Sequence, residues 1–161
     1  MEPRGTALII TMKQKYIRAY LDIAHRVADL SHARRLKVGA VIVKDDVITY
    51  GYNGMPSGWD NECENETVEL YSGYEGAIHQ TVLKTKPEVL HAESNAVSKI
   101  ARSTVSAQDA DMFITHSPCL DCAKLILQAG IGRVFYSEDY RSRAGVDFLQ
   151  KSGVVVEKVS K

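Results

Sequence analysis

The sequence predicts an α/β protein: a mixed sheet with helices on both faces, built from one domain over residues 1–161. Two observations carry this reading. From His91 onward, strand-like and helix-like runs alternate, which argues for a sheet covered on both sides. Ahead of them, two β-branched runs separated by Asp45-Asp46 read as a hairpin, which makes the sheet mixed. With 161 residues, 45% of them hydrophobic, the chain can bury one substantial core.

Taken in order, Met12 to Ser31 places Tyr16, Ile17, Tyr20, Leu21, Ile23, Ala24, Val27 and Leu30 at three- and four-residue spacings, the pattern of an amphipathic helix. Lys37 to Val43 is a β-branched strand, and Val47 to Tyr50 is its hairpin partner. Regular structure stops at Gly51-Tyr52-Asn53-Gly54-Met55-Pro56-Ser57-Gly58, whose glycines let the backbone turn sharply and lie close to a ligand. Asn53 is read as an exposed turn residue that contacts a ligand and contributes little to stability. Trp59 to Leu90 is polar, acidic and weakly periodic, and reads as a loop with a short helix around Gly76 to Leu83. A helix from His91 to Arg102 follows, then a strand at Asp111 to Thr115 and a helix from Leu120 to Ala129, stopped by Gly130. The chain finishes with a strand at Arg133 to Tyr136, a helix at Ala144 to Ser152 and a strand at Val154 to Val159.

The chemistry is concentrated between His91-Ala92-Glu93 and Ser117-Pro118-Cys119-Leu120-Asp121-Cys122. One imidazole and two thiols supply three ligands to a zinc ion and leave the fourth tetrahedral position open, as catalytic sites do. His91 opens one helix, and Cys119 and Cys122 occupy the first turn of another. Two helix N-termini therefore converge on the metal and draw both thiols toward thiolate. Cysteines three apart share a helical face. Glu93, two residues after the imidazole, is placed to take a proton from water and return it to a leaving nitrogen. His-x-Glu followed by Pro-Cys-x-x-Cys is the known mark of zinc deaminases, which attack C4 of cytosine or C6 of adenine.

Composition narrows the substrate. The 20 basic and 20 acidic side chains cancel, so there is no overall positive field to gather a polynucleotide, and a small molecule is favoured. Three cysteines, two of them in the metal motif, are no secreted disulfide framework and fit a reducing cytoplasm, with Cys63 a plain thiol. Ala7 to Ile10 is too short an apolar run to span a membrane. A 5′-phosphate would need a cation, and Arg26, Arg34, Arg35, Arg102, Arg141 and Arg143 stand unranked.

Val38-Gly39-Ala40-Val41-Ile42-Val43, the Gly51 to Pro56 turn, His91-Ala92-Glu93-Ser94-Asn95-Ala96 and Ser117 to Lys124 together resemble the deoxycytidylate deaminases in their compact phage and bacterial form. The likeness runs from about Tyr16 to Val156. It implies a five-stranded mixed sheet in an α/β/α sandwich, one catalytic Zn2+ per chain, conversion of dCMP to dUMP, and a homohexamer activated by dCTP with Mg2+ and inhibited by dTTP. By the same resemblance Asn53 holds deoxyribose and pyrimidine, the backbone around Ala92 and Ser117 reads the base edge, and Tyr140 packs beside the ring. Gly54, Met55, Asn95 and Arg102 fall on the segments expected to carry effector control. Some phage members hold a second, structural zinc. Here Ala33 stands where a cysteine is expected, and Cys63, His79 and His32 are too few for that site. Two rival readings are a deaminase of another cytosine substrate (cytidine, dCTP or an RNA base) and a non-catalytic zinc module for assembly, in which Glu93 would be dispensable.

Overall fold

A computed structural model describes residues 12–73 and 76–160. The apolar run at residues 7–10 lies outside them. The elements are helix α1 (Gln14–Ala28), strands β1 (Gly39–Lys44), β2 (Asp46–Tyr52), β3 (Glu64–Gly73) and β4 (Gly76–Thr85), helix α2 (Ala92–Ala101), strand β5 (Asp111–His116), helix α3 (Leu120–Gln128), strand β6 (Arg133–Glu138), helix α4 (Ala144–Lys151) and strand β7 (Val155–Lys158).

Five strands form one sheet in the order β2-β1-β5-β6-β7. β1 runs antiparallel to both β2 and β5, whereas β5, β6 and β7 are mutually parallel, so the sheet is mixed as the sequence predicts. Side chains alternate across each strand, and both faces are apolar. Val41, Val43, Phe113 and Phe135 point to the face covered by α1 through Ile17, Leu21 and Ala24. Ala40, Ile42, Met112, Ile114, Val134 and Tyr136 point to the other, where Ala92, Ala96, Ala123, Ile126, Val146 and Leu149 of α2, α3 and α4 close the larger core. At about 25 cal/mol per Å² of apolar surface removed from water, these two clusters are the dominant stabilising contribution.

The stretch from Trp59 to Leu90 corrects the sequence reading. It carries no helix among its described residues; β3 and β4 pair as an antiparallel two-stranded sheet of their own, from Glu64 opposite Thr85 to Gly73 opposite Gly76. Its strands carry no periodic signal because there is no inside and outside to alternate between: Val68 and Leu70 lie on one face and Tyr71 and Ile78 on the other, all exposed. The root is different. Cys63 is buried against Ala33 and Val89, with Met55 packed alongside, and the Lys86 N–H donates to the Cys63 carbonyl at 2.9 Å.

Gly51 and Gly145 set how closely α2 approaches the sheet and α4 the metal loop. A Cβ on Gly51 of β2 would lie 2.2 Å from the Ala92 carbonyl oxygen, and one on Gly145 of α4 would lie 2.1 Å from the Pro118 carbonyl oxygen. Both helices therefore seat directly on backbone that flanks the ligand motifs.

Candidate metal centre and active site

The parallel strand β5 ends at His116, and the chain turns through Ser117 and Pro118 into α3. The crevice beyond the carboxyl ends of such strands is where α/β sheets hold ligands. Cys119 is the N-cap of α3, and its sulfur accepts the Cys122 N–H at 3.5 Å. His91 is the N-cap of α2, and the Asn95 N–H donates to its carbonyl at 3.0 Å. These two helix starts meet: His91 Nδ1 lies 3.6 Å from Cys119 Sγ and 3.4 Å from Cys122 Sγ. The three ligand atoms fall within 4.8 Å of one another, and among the described residues no other group of three or more His, Cys, Asp and Glu is so placed. One nitrogen and two sulfurs are a donor set that suits zinc and leaves a coordination position for water.

In the trio without metal the two thiols move in opposite directions. Hydrogen bonds from Cys122 and then His91 pull the Cys119 thiol down to about 4. The Cys122 thiol moves up, because it donates to the Cys119 sulfur and is buried. Without metal, one proton is thus shared between the two sulfurs. The hydrogen bond with Cys119 raises His91.

Glu93, in the first turn of α2, is 5% exposed. Burial pushes its carboxyl up to about 7. At neutral pH both of its protonation states are accessible, the condition a group needs if it is to accept and then release a proton.

His91, Cys119 and Glu93 line one cleft together with Ala92, Ser117, Asn53 and Tyr140, so all the substrate-side residues singled out from the sequence gather there. Ser117 is buried; its hydroxyl accepts the Tyr140 N–H at 2.8 Å, and its own N–H donates to the Glu138 carbonyl at 2.8 Å. Asn53 is 8% exposed, which corrects its reading as an exposed turn residue. Its Oδ1 accepts the Val38 N–H and its Nδ2 donates to the Leu36 carbonyl, both at 2.8 Å. The Ser31 hydroxyl donates to its backbone carbonyl at 2.7 Å. The amide that faces the cleft is therefore also a strut between two loops.

The four residues expected to carry effector control lie outside the cleft lining. Gly54 and Leu90 form an isolated antiparallel bridge that ties the glycine-rich turn to the residue before His91. Met55 packs into the Cys63 cluster. Asn95 donates its side-chain amide to the Tyr52 carbonyl at 2.8 Å, and Arg102 caps the far end of α2.

Arg35, Leu36, Val38, Thr85, Val89 and His116 also line the cleft, unsingled by the sequence reading except for Arg35 within its unranked group. His116 Nε2 is 3.9 Å from Glu138, and burial lowers its pKa, favouring the neutral ring.

Comparison with known proteins agrees with this site. Residues 13–138 match the family model described as the cytidine and deoxycytidylate deaminase zinc-binding region. The chain is similar to ComE operon protein 2 of Bacillus subtilis, with 34% identity over 142 residues covering 87% of this chain and 69% of that protein. It is likewise similar to the deoxycytidylate deaminase of Enterobacteria phage T2, with 35% identity over 176 residues covering 88% and 90% of the two chains. Among solved structures, the dCMP deaminase of cyanophage S-TIM5 in complex with dCMP and dUMP superposes with a TM-score of 0.79 at 41% identity, over 92% of this chain and 99% of that one. A family match across most of the chain, coinciding with a three-donor metal group and a buried glutamate, makes this protein a member of the zinc-dependent cytidine and deoxycytidylate deaminases.

Proposed function

We propose that this protein is a dCMP deaminase, hydrolysing dCMP to dUMP and ammonia to supply thymidylate synthesis. The carrying observation is Glu93: a carboxyl buried to 5% exposure and held near neutral, in the cleft that His91 and Cys119 also line. A non-catalytic zinc module has no use for an acid so placed, since burying it costs stability. The choice of dCMP among cytosine substrates is supported by the names of the relatives and by the nucleotides bound to the cyanophage enzyme.

His91, Cys119 and Cys122 would hold the zinc, one ion per chain. Bound there, zinc would supply Lewis-acid activation of water at neutral pH. Glu93 takes a proton from the attacking water. It delivers that proton to N3 of the cytosine ring as the C4–O bond forms, then takes the proton of the new C4 hydroxyl and passes it to the amino group, so that C4=O forms as the C4–N bond breaks and ammonia leaves. Backbone at Ala92 and Ser117 would face the base edge, with Ser117 kept in place by its bonds to Glu138 and Tyr140. Asn53 would orient the sugar, and Tyr140 would pack beside the ring.

The regulatory part of the reading rests on resemblance. It comprises a cytoplasmic homohexamer, activation by dCTP with Mg2+ and inhibition by dTTP, transmitted through the Gly54 and Met55 turn and the Asn95 to Arg102 stretch of α2. The Gly54–Leu90 bridge, which ties the turn to the residue before His91, and the Asn95–Tyr52 bond, which ties α2 to the turn, support it. Among the described residues no helix is long and apolar enough to cross a membrane.

The test is turnover over a panel of dCMP, CMP, cytidine and dCTP with the zinc-loaded protein. Preference for dCMP supports the proposal, and preference for cytidine or dCTP moves the substrate assignment while leaving the chemistry. A dCMP saturation curve that stays hyperbolic and ignores both triphosphates removes the regulatory part alone.

A further inference from the structure

The six arginines that the sequence leaves unranked separate by their surroundings. Arg26 pairs with Asp29, Arg34 with Glu66 and Arg143 with Asp147, all near the surface. Arg35 alone among the described arginines and lysines lines the cleft that holds Glu93, Asn53 and Tyr140. It also forms no ion pair among the described residues, and its Nη1 donates instead to the neutral Thr85 hydroxyl at 2.7 Å. A guanidinium beside a ligand cleft, held by a hydroxyl and unneutralised by a carboxylate, keeps donors and a full charge available for an anion.

The holding is elaborate for a half-exposed side chain. Glu64, 5% exposed at the start of β3, accepts the backbone N–H groups of Arg34 at 3.2 Å and Arg35 at 3.1 Å, one on each carboxylate oxygen. Thr85 is the last residue of β4 and the register partner of Glu64. Thus one cross-strand pair at the root of the hairpin grips Arg35 twice, by its backbone and by its guanidinium. On the far side the same loop is fixed through Leu36 and Val38 to the Asn53 amide.

We infer that Arg35 binds the 5′-phosphate of the nucleotide substrate, and that the Glu64–Thr85 root of the β3–β4 hairpin positions it. The inference rests on the proposed dCMP deamination. It gives the hairpin a role at its base: the inserted sheet carries the two residues that aim the phosphate-binding cation into the cleft. Arg35 is then the determinant separating nucleoside monophosphate from nucleoside, because deoxycytidine offers it no anion.

Steady-state kinetics of the zinc-loaded full-length protein on dCMP and on deoxycytidine test this. Arg35→Gln should lower kcat/KM for dCMP by about 10- to 100-fold, the range for losing a charge-assisted bond, chiefly through KM. Its kcat/KM for deoxycytidine should stay within about twofold of wild type. Thr85→Val, which retains the charge and frees its aim, should show the same selective loss at about three- to tenfold. Arg35→Lys should recover part of the dCMP activity, since a point charge replaces a fork. Equal loss on both substrates in Arg35→Gln would make Arg35 a structural residue and overturn the inference, as would unchanged dCMP kinetics. A wild-type enzyme that deaminates deoxycytidine as well as dCMP would overturn phosphate recognition but not deamination. A wild-type enzyme inactive on dCMP would overturn the proposed function and this inference with it.

Discussion

The two sheets of this molecule are built on opposite terms. The five-stranded sheet is apolar on both faces and sealed by helices, with Val41, Ile42, Phe113, Ile114 and Val134 withdrawn from solvent. The β3–β4 sheet leaves Val68, Leu70 and Ile78 more than 60% exposed, and its strands pack chiefly on each other. A two-stranded ribbon of this kind has little stability of its own in water. Precision is therefore available in the large sheet and its helix starts, where the metal donors and Glu93 sit, and in the small sheet only at its root, where Glu64 and Cys63 are buried. Function placed on each sheet follows that division.

The largest effect should come from breaking the rigid side. Cys122→Ala removes a buried donor from a three-donor group, and metal analysis should find zinc lost together with nearly all turnover. Full zinc content in that variant would move the metal elsewhere. The thiol pair also predicts the direction of pH dependence. The pair shares a proton that metal must displace, so zinc affinity measured against a competing chelator should rise with pH and loading should release protons.

Gly145→Ala comes next. Its Cβ would lie 2.1 Å from the Pro118 carbonyl oxygen and 2.8 Å from that of Cys119, so α4 or the ligand loop must move. A cost of about 1–3 kcal/mol in unfolding free energy is expected, with weakened zinc binding as its sign at the site. Unchanged melting and metal affinity would show that the loop is less tightly held than its packing implies.

Asn53→Ala should cost about 1–3 kcal/mol, because it leaves the Val38 N–H and the Leu36 carbonyl without their partner. It should also raise KM for dCMP. Normal stability with altered kinetics would restore the picture of a turn residue that serves ligand alone. The smallest effect belongs to the ribbon: Ile78→Ser should change unfolding free energy by no more than about 0.5 kcal/mol, as is usual for exposed sites. A larger loss would mean that this surface is covered in the assembled protein.

What could be read from the sequence follows the same line. Helices and strands of the large sheet announce themselves through spacing, since burial on a face forces apolar residues to recur at the period of the element. The metal donors and Glu93 are legible because their chemistry demands fixed residue types at short separations within each of two helix starts. The ribbon was hidden because neither of its faces is buried. Asn53 reads as exposed from the sequence because its partners, Leu36 and Val38, lie in a loop before β1. Arg35 could not be ranked because what aims it is Thr85, 50 residues further on. Long-range polar contacts leave no period in a sequence.

The central claim is that Glu93 moves the protons while His91, Cys119 and Cys122 hold the metal, and Glu93→Gln separates the two. Zinc content and dCMP turnover measured on the same preparation should show wild-type zinc, an unaltered fold and a loss of turnover beyond the ~10⁴-fold that general acid/base catalysis supplies. Glu93→Gln protein that binds zinc and still deaminates dCMP at a substantial fraction of the wild-type rate would contradict the account.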